Sequence, residues 1–177
     1  MNKTLLAAAF ALLLPALAAA KDAPAPLKVG DDAPIFSATA DTGKTFNLEK
    51  RRGDWTVLYF YPKAGTPGCT KQACAFRDGI DAIKKTGAEV FGISRDTLKA
   101  QREFKKTHRL PFTLIADPHG EVISVYGTEG FLGYSKRWTF LVDPALKIRW
   151  IEHDVDPALD AQRVAAELKK LQAETKP

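Results

Sequence analysis

Val57-Leu58-Tyr59-Phe60-Tyr61-Pro62-Lys63-Ala64-Gly65-Thr66-Pro67-Gly68-Cys69-Thr70-Lys71-Gln72-Ala73-Cys74 is the stretch on which the reading of this chain turns. Its first five residues form an unbroken run of apolar and aromatic side chains, as in a strand buried on both faces. Pro62 to Gly68 is Pro/Gly-rich turn chemistry. Beyond Cys69 the apolar residues Ala73, Phe76, Ile80 and Ile83 recur at three to four positions, the spacing of a helix face. Cys69 therefore falls where a helix begins, just past the C-terminal end of a strand. Unpaired backbone N–H groups and the positive end of the helix dipole favour an anion there. A cysteine in that position is a thiolate more often than a free thiol is, so Cys69 is the expected nucleophile.

Working outward, the strand–turn–helix unit sits in an alternating chain. Upstream, Ile35–Ala40 and Thr45–Leu48 read as a small hairpin around Asp41-Thr42-Gly43-Lys44, followed by a charged connection over Glu49–Asp54. Downstream, Thr86-Gly87 stops the helix, which Gly79 interrupts with a kink or weak turn. Glu89–Ser94 reads as a second buried strand, and Asp96 or Thr97 caps a helix to about His108 with Leu98, Ala100 and Phe104 on its apolar side. Phe112–Ala116 is a third strand, Glu121–Tyr126 one or two helical turns, and Gly127–Lys136 a loop carrying Phe131, Leu132 and Tyr134 at a pocket edge or in the core. Arg137–Val142 and Lys147–Ile151 form an antiparallel pair. Asp156-Pro157 opens a last helix, with Val164, Leu168 and Leu171 as its buried stripe. Strands alternating with helices predict an α/β fold with a mixed central sheet flanked by helices, preceded by the hairpin.

The 177 residues suit one domain, here 29–177, and 45% hydrophobic with 27% charged residues is an ordinary globular composition. The net charge of +5 is scattered in short pairs. Without a basic stripe interleaved with aromatics, nucleic acid is not an expected partner. Residues 1–20 read as a secretory signal peptide: Lys3, an apolar run from Leu5, and small residues ending at Ala20, with cleavage before Ala19 or Lys21. An uncleaved anchor is the alternative, but the run is short for a span and broken by Pro15. An extended leader over 21–28 follows. The expected location is across the inner membrane, in the periplasm, without stable membrane association after cleavage.

An oxidising compartment gives two cysteines an ordinary explanation, a structural disulfide. Five positions apart on one α-helix, however, they lie roughly 140° apart around the axis, with Cα atoms about 8–9 Å apart. A disulfide needs roughly 4.4–6.8 Å. The bridge would require the first turns of the helix to unwind, which a cycling redox pair tolerates better than a staple does. On this geometry both readings stay open. Thr66 adds a hydroxyl for a thiolate or an incoming oxygen, and Gly68 lets substrate approach the backbone. His108, His119 and His153 show no metal-ligand spacing, and Arg77-Asp78 reads as a solvated pair.

Pro62-x-x-x-Thr66-x-x-Cys69 resembles the active-site signature of the peroxiredoxins. Thr66-Pro67-Gly68-Cys69-Thr70-x-x-x-Cys74 with Phe76-Arg77-Asp78 is similar to the bacterioferritin-comigratory or Q-type branch, and Arg137-Trp138-Thr139-Phe140-Leu141-Val142-Asp143 resembles the segment that supplies that family's arginine. The likeness runs from about Leu27 to the last helix. It implies a thioredoxin-like fold and a peroxidase acting on hydrogen peroxide and organic hydroperoxides. Carried over residue by residue, it makes Cys69 the peroxidatic and Cys74 the resolving cysteine. Thr66 becomes the peroxide-binding hydroxyl, Pro62 the shield of the thiolate and Arg137 the cation beside it, with Gly68 and Cys69 offering backbone N–H groups. It further implies an intramolecular Cys69–Cys74 disulfide in a monomer, a thioredoxin-like dithiol as reductant, and no metal or organic cofactor. Two departures are Trp138, where the family often has a small residue, so that the pocket wall could differ, and the secretory leader, which puts the reductant's identity in question. The rivals are a general thiol–disulfide oxidoreductase, whose usual C-x-x-C is absent, and a secreted binding domain with a structural disulfide.

Overall fold

A computed structural model describes residues 26–174. The expected signal peptide, its cleavage point and most of the leader lie outside the described residues. The strands are β1 (Ser37–Ala40), β2 (Thr45–Asn47), β3 (Thr56–Phe60), β4 (Glu89–Ser94), β5 (Thr113–Ala116), β6 (Trp138–Val142) and β7 (Ile148–Glu152). The helices are α1 (Pro67–Lys84), α2 (Leu98–His108), α3 (Glu121–Val125) and α4 (Asp160–Glu174). All seven strands join one sheet in the order β2-β1-β5-β4-β3-β6-β7. The β3–β4 and β4–β5 pairs are parallel, and β3–β6, β6–β7, β1–β2 and β1–β5 are antiparallel. The mixed sheet is as expected. The N-terminal hairpin extends it by pairing Thr39 with Ala116 and Ala40 with Ile115.

β3 is buried along its whole length because both faces of the sheet are covered. Successive side chains alternate. Val57, Tyr59 and Tyr61 point into a core with Phe76, Ile80 and Ile83 of α1, Phe104 of α2 and Val164, Leu168 and Leu171 of α4. Leu58 and Phe60 point the other way, into a core with Phe46, Phe91, Val122, Ile123, Tyr126 and Phe140. Phe76 stacks on Tyr59 with ring centroids 4.7 Å apart. Its complete burial contributes on the order of 1.5–3 kcal/mol of hydrophobic stabilisation.

Several expectations are corrected. Gly79 does not kink α1, which is continuous through it. A Cβ there would lie 3.3 Å from Cβ of Ala161, so this glycine lets α1 and α4 pack closely. Glu49–Asp54 is not simply a connection: Leu48–Arg51 form a 3₁₀ turn capped by the Asn47 side chain, which accepts from Glu49 N at 2.8 Å. Thr97, rather than Asp96, caps α2, accepting from Ala100 N. Leu98 and Ala100 are only half-buried, and the interior position of that helix is taken by Gln101. Asp156 does accept a cap-like bond from Ala158 N at 2.8 Å, but the regular helix begins four residues later, at Asp160.

Candidate active site

Cys69 is the third residue of α1. Pro67 opens the helix and has no N–H to lose. The first intrahelical bond runs from Thr70 N to the Thr66 carbonyl at 2.8 Å, so the N–H groups of Gly68 and Cys69 precede the helical ladder. The first turn carries no acidic residue, so no side chain of its own competes for the positive helix end. Cys69 is only 1% exposed and borders the core beneath α1, but its sulfur has a charged neighbour: Arg137 Nη2 donates to Cys69 Sγ at 3.5 Å. Arg137 is half-buried and lies immediately before β6. Antiparallel pairing of Trp138 with Phe60 brings it to the end of β3, where the turn to α1 starts.

Gly68 has a use the sequence does not reveal. A Cβ at this residue would sit 3.1 Å from Arg137 Nη2. What approaches this backbone in the structure is the guanidinium.

Thr66 is tied into the turn before α1. Its hydroxyl donates to the Lys63 carbonyl at 2.9 Å and makes no cap bond to α1. With its proton committed to the turn, the oxygen has lone pairs left to accept from an incoming O–H. Pro62 is half-buried in the turn beyond β3. Tyr61 N still donates to Ile93 O, and Pro62, without an N–H, ends the ladder. Asp96 holds this turn from below: one carboxylate oxygen accepts from Ala64 N and from Ser94 Oγ, both at 2.7 Å.

Behind Arg137 lies a polar chain that the sequence reading missed. Arg137 Nη1 donates to Gln72 Oε1 at 2.7 Å, Gln72 Nε2 donates to Asp160 Oδ2 at 2.6 Å, and Thr139 Oγ1 donates to the same Oδ2 at 2.9 Å. Gln72, Thr139 and Asp160 are fully buried. Burial pushes the Asp160 carboxyl up to about 6, against the opposing pull of its bonds to Gln72 and Thr139. The one signal in the sequence was Gln72 itself, an amide on the apolar stripe of α1.

Cys74 is half-buried on the same helix, and both cysteines are free thiols. It opens onto a groove of about 920 Å³ between α1 and α4, lined by Ala75, Gly79, Ala161, Ala165, Lys71 and Lys169 among others. Arg77 bonds Asp78 at 2.8 Å and also donates to the His108 carbonyl at 3.1 Å, closing the end of α2.

Phe131, Leu132 and Tyr134 are not core: they are 85%, 76% and 40% exposed. They lie at the edge of the site, where Arg95 Nη1 donates to Gly133 O at 3.0 Å and Lys63 Nζ stands 5.9 Å from the Tyr134 ring centre. Trp138 is not a pocket wall either. Strand alternation sends it to the opposite face of the sheet from Arg137, under Lys136 and against His153. Among the described residues no His/Cys/Asp/Glu group converges as a metal site, and no helix is long and apolar enough to cross a membrane.

Comparison with known proteins agrees with this geometry. Residues 29–151 match the AhpC/TSA family. The chain is 42% identical over 125 residues to the putative peroxiredoxin bcp of Coxiella burnetii, covering 66% of this chain and 82% of that one. It is 41% identical over 136 residues to peroxiredoxin Bcp of Escherichia coli K12, covering 73% of this chain and 87% of the relative. The crystal structure of peroxidoxin BcpB from Mycobacterium tuberculosis superposes with a TM-score of 0.76 at 33% identity, over 82% of this chain and 98% of that one. A cysteine in the first turn of a helix beside an arginine, in a chain matched over this extent, makes this protein a member of the AhpC/TSA family, in its Bcp/peroxiredoxin Q branch of thiol peroxidases.

Proposed function

We propose that this protein reduces hydrogen peroxide and organic hydroperoxides through a sulfenic acid on Cys69 and an intramolecular Cys69–Cys74 disulfide, which a thioredoxin-like dithiol then reduces. The observation that carries this reading is the Arg137 guanidinium 3.5 Å from the Cys69 sulfur at the start of α1. Arg137 and the free N–H groups of the first turn aim positive charge at the Cys69 sulfur, which reacts as the thiolate. The thiolate attacks one peroxide oxygen and the O–O bond breaks. Cys69 becomes S–OH, and the departing oxygen leaves as hydroxide or alkoxide and takes a proton. Arg137 and the N–H groups of Gly68 and Cys69 stabilise the charge on that oxygen, while the Thr66 oxygen accepts from the peroxide O–H. Cys74 then displaces hydroxide from the sulfenic sulfur as water. Two thiols of the reductant restore the dithiol by exchange.

The cycle needs only one chain, so it runs in a monomer. It takes place in the periplasm after removal of the leader. The test is peroxide consumption by the purified mature protein with a panel of dithiols. Cys69→Ser should abolish turnover, and Cys74→Ser should retain a single oxidation of Cys69. A folded Cys69→Ser protein with undiminished peroxidase activity would exclude the reading.

A further inference from the structure

We propose that Asp160 is a positioning residue for this reaction. Through Gln72 it fixes Arg137 against Cys69 while α1 is wound, and its bond to Gln72 is the tie that breaks before Cys74 can reach Cys69. The inference rests on the proposed disulfide cycle.

The hydrogen-bond chain has a direction. A carboxylate can only accept, so Asp160 Oδ2 draws the Nε2 group of Gln72 towards itself and leaves Oε1 facing Arg137. The reverse amide orientation would set N–H against guanidinium and C=O against carboxylate, two repulsions in a buried place. Asp160 thus determines that Arg137 meets an acceptor and keeps Nη2 on the sulfur. Thr139 holds the carboxylate from β6. The ionisable groups around it are Arg137 before β6, Glu152 at the end of β7 and Tyr59 on β3. Its other oxygen, Oδ1, is buried and has no hydrogen-bond partner among the described residues, so Gln72 and Thr139 are the two donors this carboxylate has there.

The same bond distinguishes two redox states. Gln72 lies between Cys69 and Cys74, in the turns that must unwind for the Cα atoms to close to disulfide distance. The chain from Asp160 to Cys69 therefore belongs to the wound dithiol form, and unwinding strips a buried carboxylate of one of its two donors. Such a tie favours the dithiol over the disulfide. It also slows capture of Cys69–SOH by Cys74, which competes with a second peroxide converting the sulfenic to the sulfinic acid with release of water. A residue that merely stabilised the fold would act on both forms alike and leave their ratio unchanged.

The experiment equilibrates wild type, Asp160→Ala and Asp160→Asn with graded dithiothreitol redox buffers and measures the dithiol-to-disulfide ratio. Stopped-flow oxidation of Cys69 by hydrogen peroxide is followed in parallel on a Cys74→Ser background. Asp160→Ala should shift the ratio about tenfold towards disulfide, about 30 mV for the two-electron couple, and slow the oxidation of Cys69. Asp160→Asn retains a carbonyl acceptor for Gln72 and Thr139 and should stay within about threefold of wild type on both readouts, less than the roughly 1.4 kcal/mol of a tenfold change. A folded Asp160→Ala protein with an unchanged ratio overturns the proposal, as does an Asp160→Asn protein as impaired as Asp160→Ala. If Asp160→Ala does not fold, Gln72→Met cuts the tie from the other end, and an unchanged ratio there is equally fatal. Wild type that forms no Cys69–Cys74 disulfide with peroxide would instead sink the cycle itself.

Discussion

Arg137 and Cys69 are 68 residues apart in the chain and 3.5 Å apart in space. One lies just before a strand and the other at the start of a helix. They meet because β6 pairs antiparallel with β3 and the turn from β3 delivers α1 to the same end of the sheet.

Replacing Arg137 by methionine removes the charge beside the sulfur and keeps much of the stem. Oxidation of Cys69 by hydrogen peroxide should slow on the order of 10²-fold, the usual cost of one donor aimed at developing negative charge. Stopped-flow fluorescence on a Cys74→Ser background measures the rate, and a trace superimposable on that of the parent would remove Arg137 from the site.

Gly68→Ala separates stability from activity. Helix propensity favours alanine by up to about 1 kcal/mol, so the unfolding midpoint in urea should hold or rise. The new methyl group would lie 3.1 Å from Arg137 Nη2 and push the guanidinium off the sulfur. Peroxide reduction should fall about tenfold, as misplaced catalytic groups do. Unaltered kinetics would show that Arg137 accommodates the methyl group without losing its function.

Gly79→Val tests the contact between α1 and α4. Its first carbon already falls 3.3 Å from Cβ of Ala161, and overpacking of this kind costs about 1–3 kcal/mol. Chemical denaturation should show that loss. The rate of Cys69 oxidation should stay near wild type, because residue 79 is well beyond the helix start.

The Asp160 carboxyl is raised by burial to about 6 from an ordinary 3.8. The folded state therefore holds this proton more tightly than the unfolded chain does. Its contribution to stability is full below about pH 4, is lost as pH rises through about 6, and stays lost above. Asp160→Asn has no such proton. The stability difference between variant and wild type should grow in the variant's favour by on the order of 2–3 kcal/mol from pH 4 to pH 7. Urea unfolding across that range measures it, and a constant difference would show that the carboxyl titrates normally.

By itself the sequence determined the strand–turn–helix unit, the placement of Cys69 at a helix start and most element boundaries. These depend on local matters: apolar spacing, Pro67 at the first helical position and the turn residues before it. The same local information misread Gly79 as a weak point and Phe131 and Leu132 as possible core. Spacing reports which residues are apolar or small, and it cannot report what packs against them. Only the tertiary structure decided that Gly79 faces Ala161, that Trp138 turns away from Arg137, and that Gln72, Thr139 and Asp160 form one buried chain behind the guanidinium. Those three side chains come from α1, β6 and α4. Their hydrogen bonds exist only once the sheet's pairing has excluded water and left each polar group no partner but another.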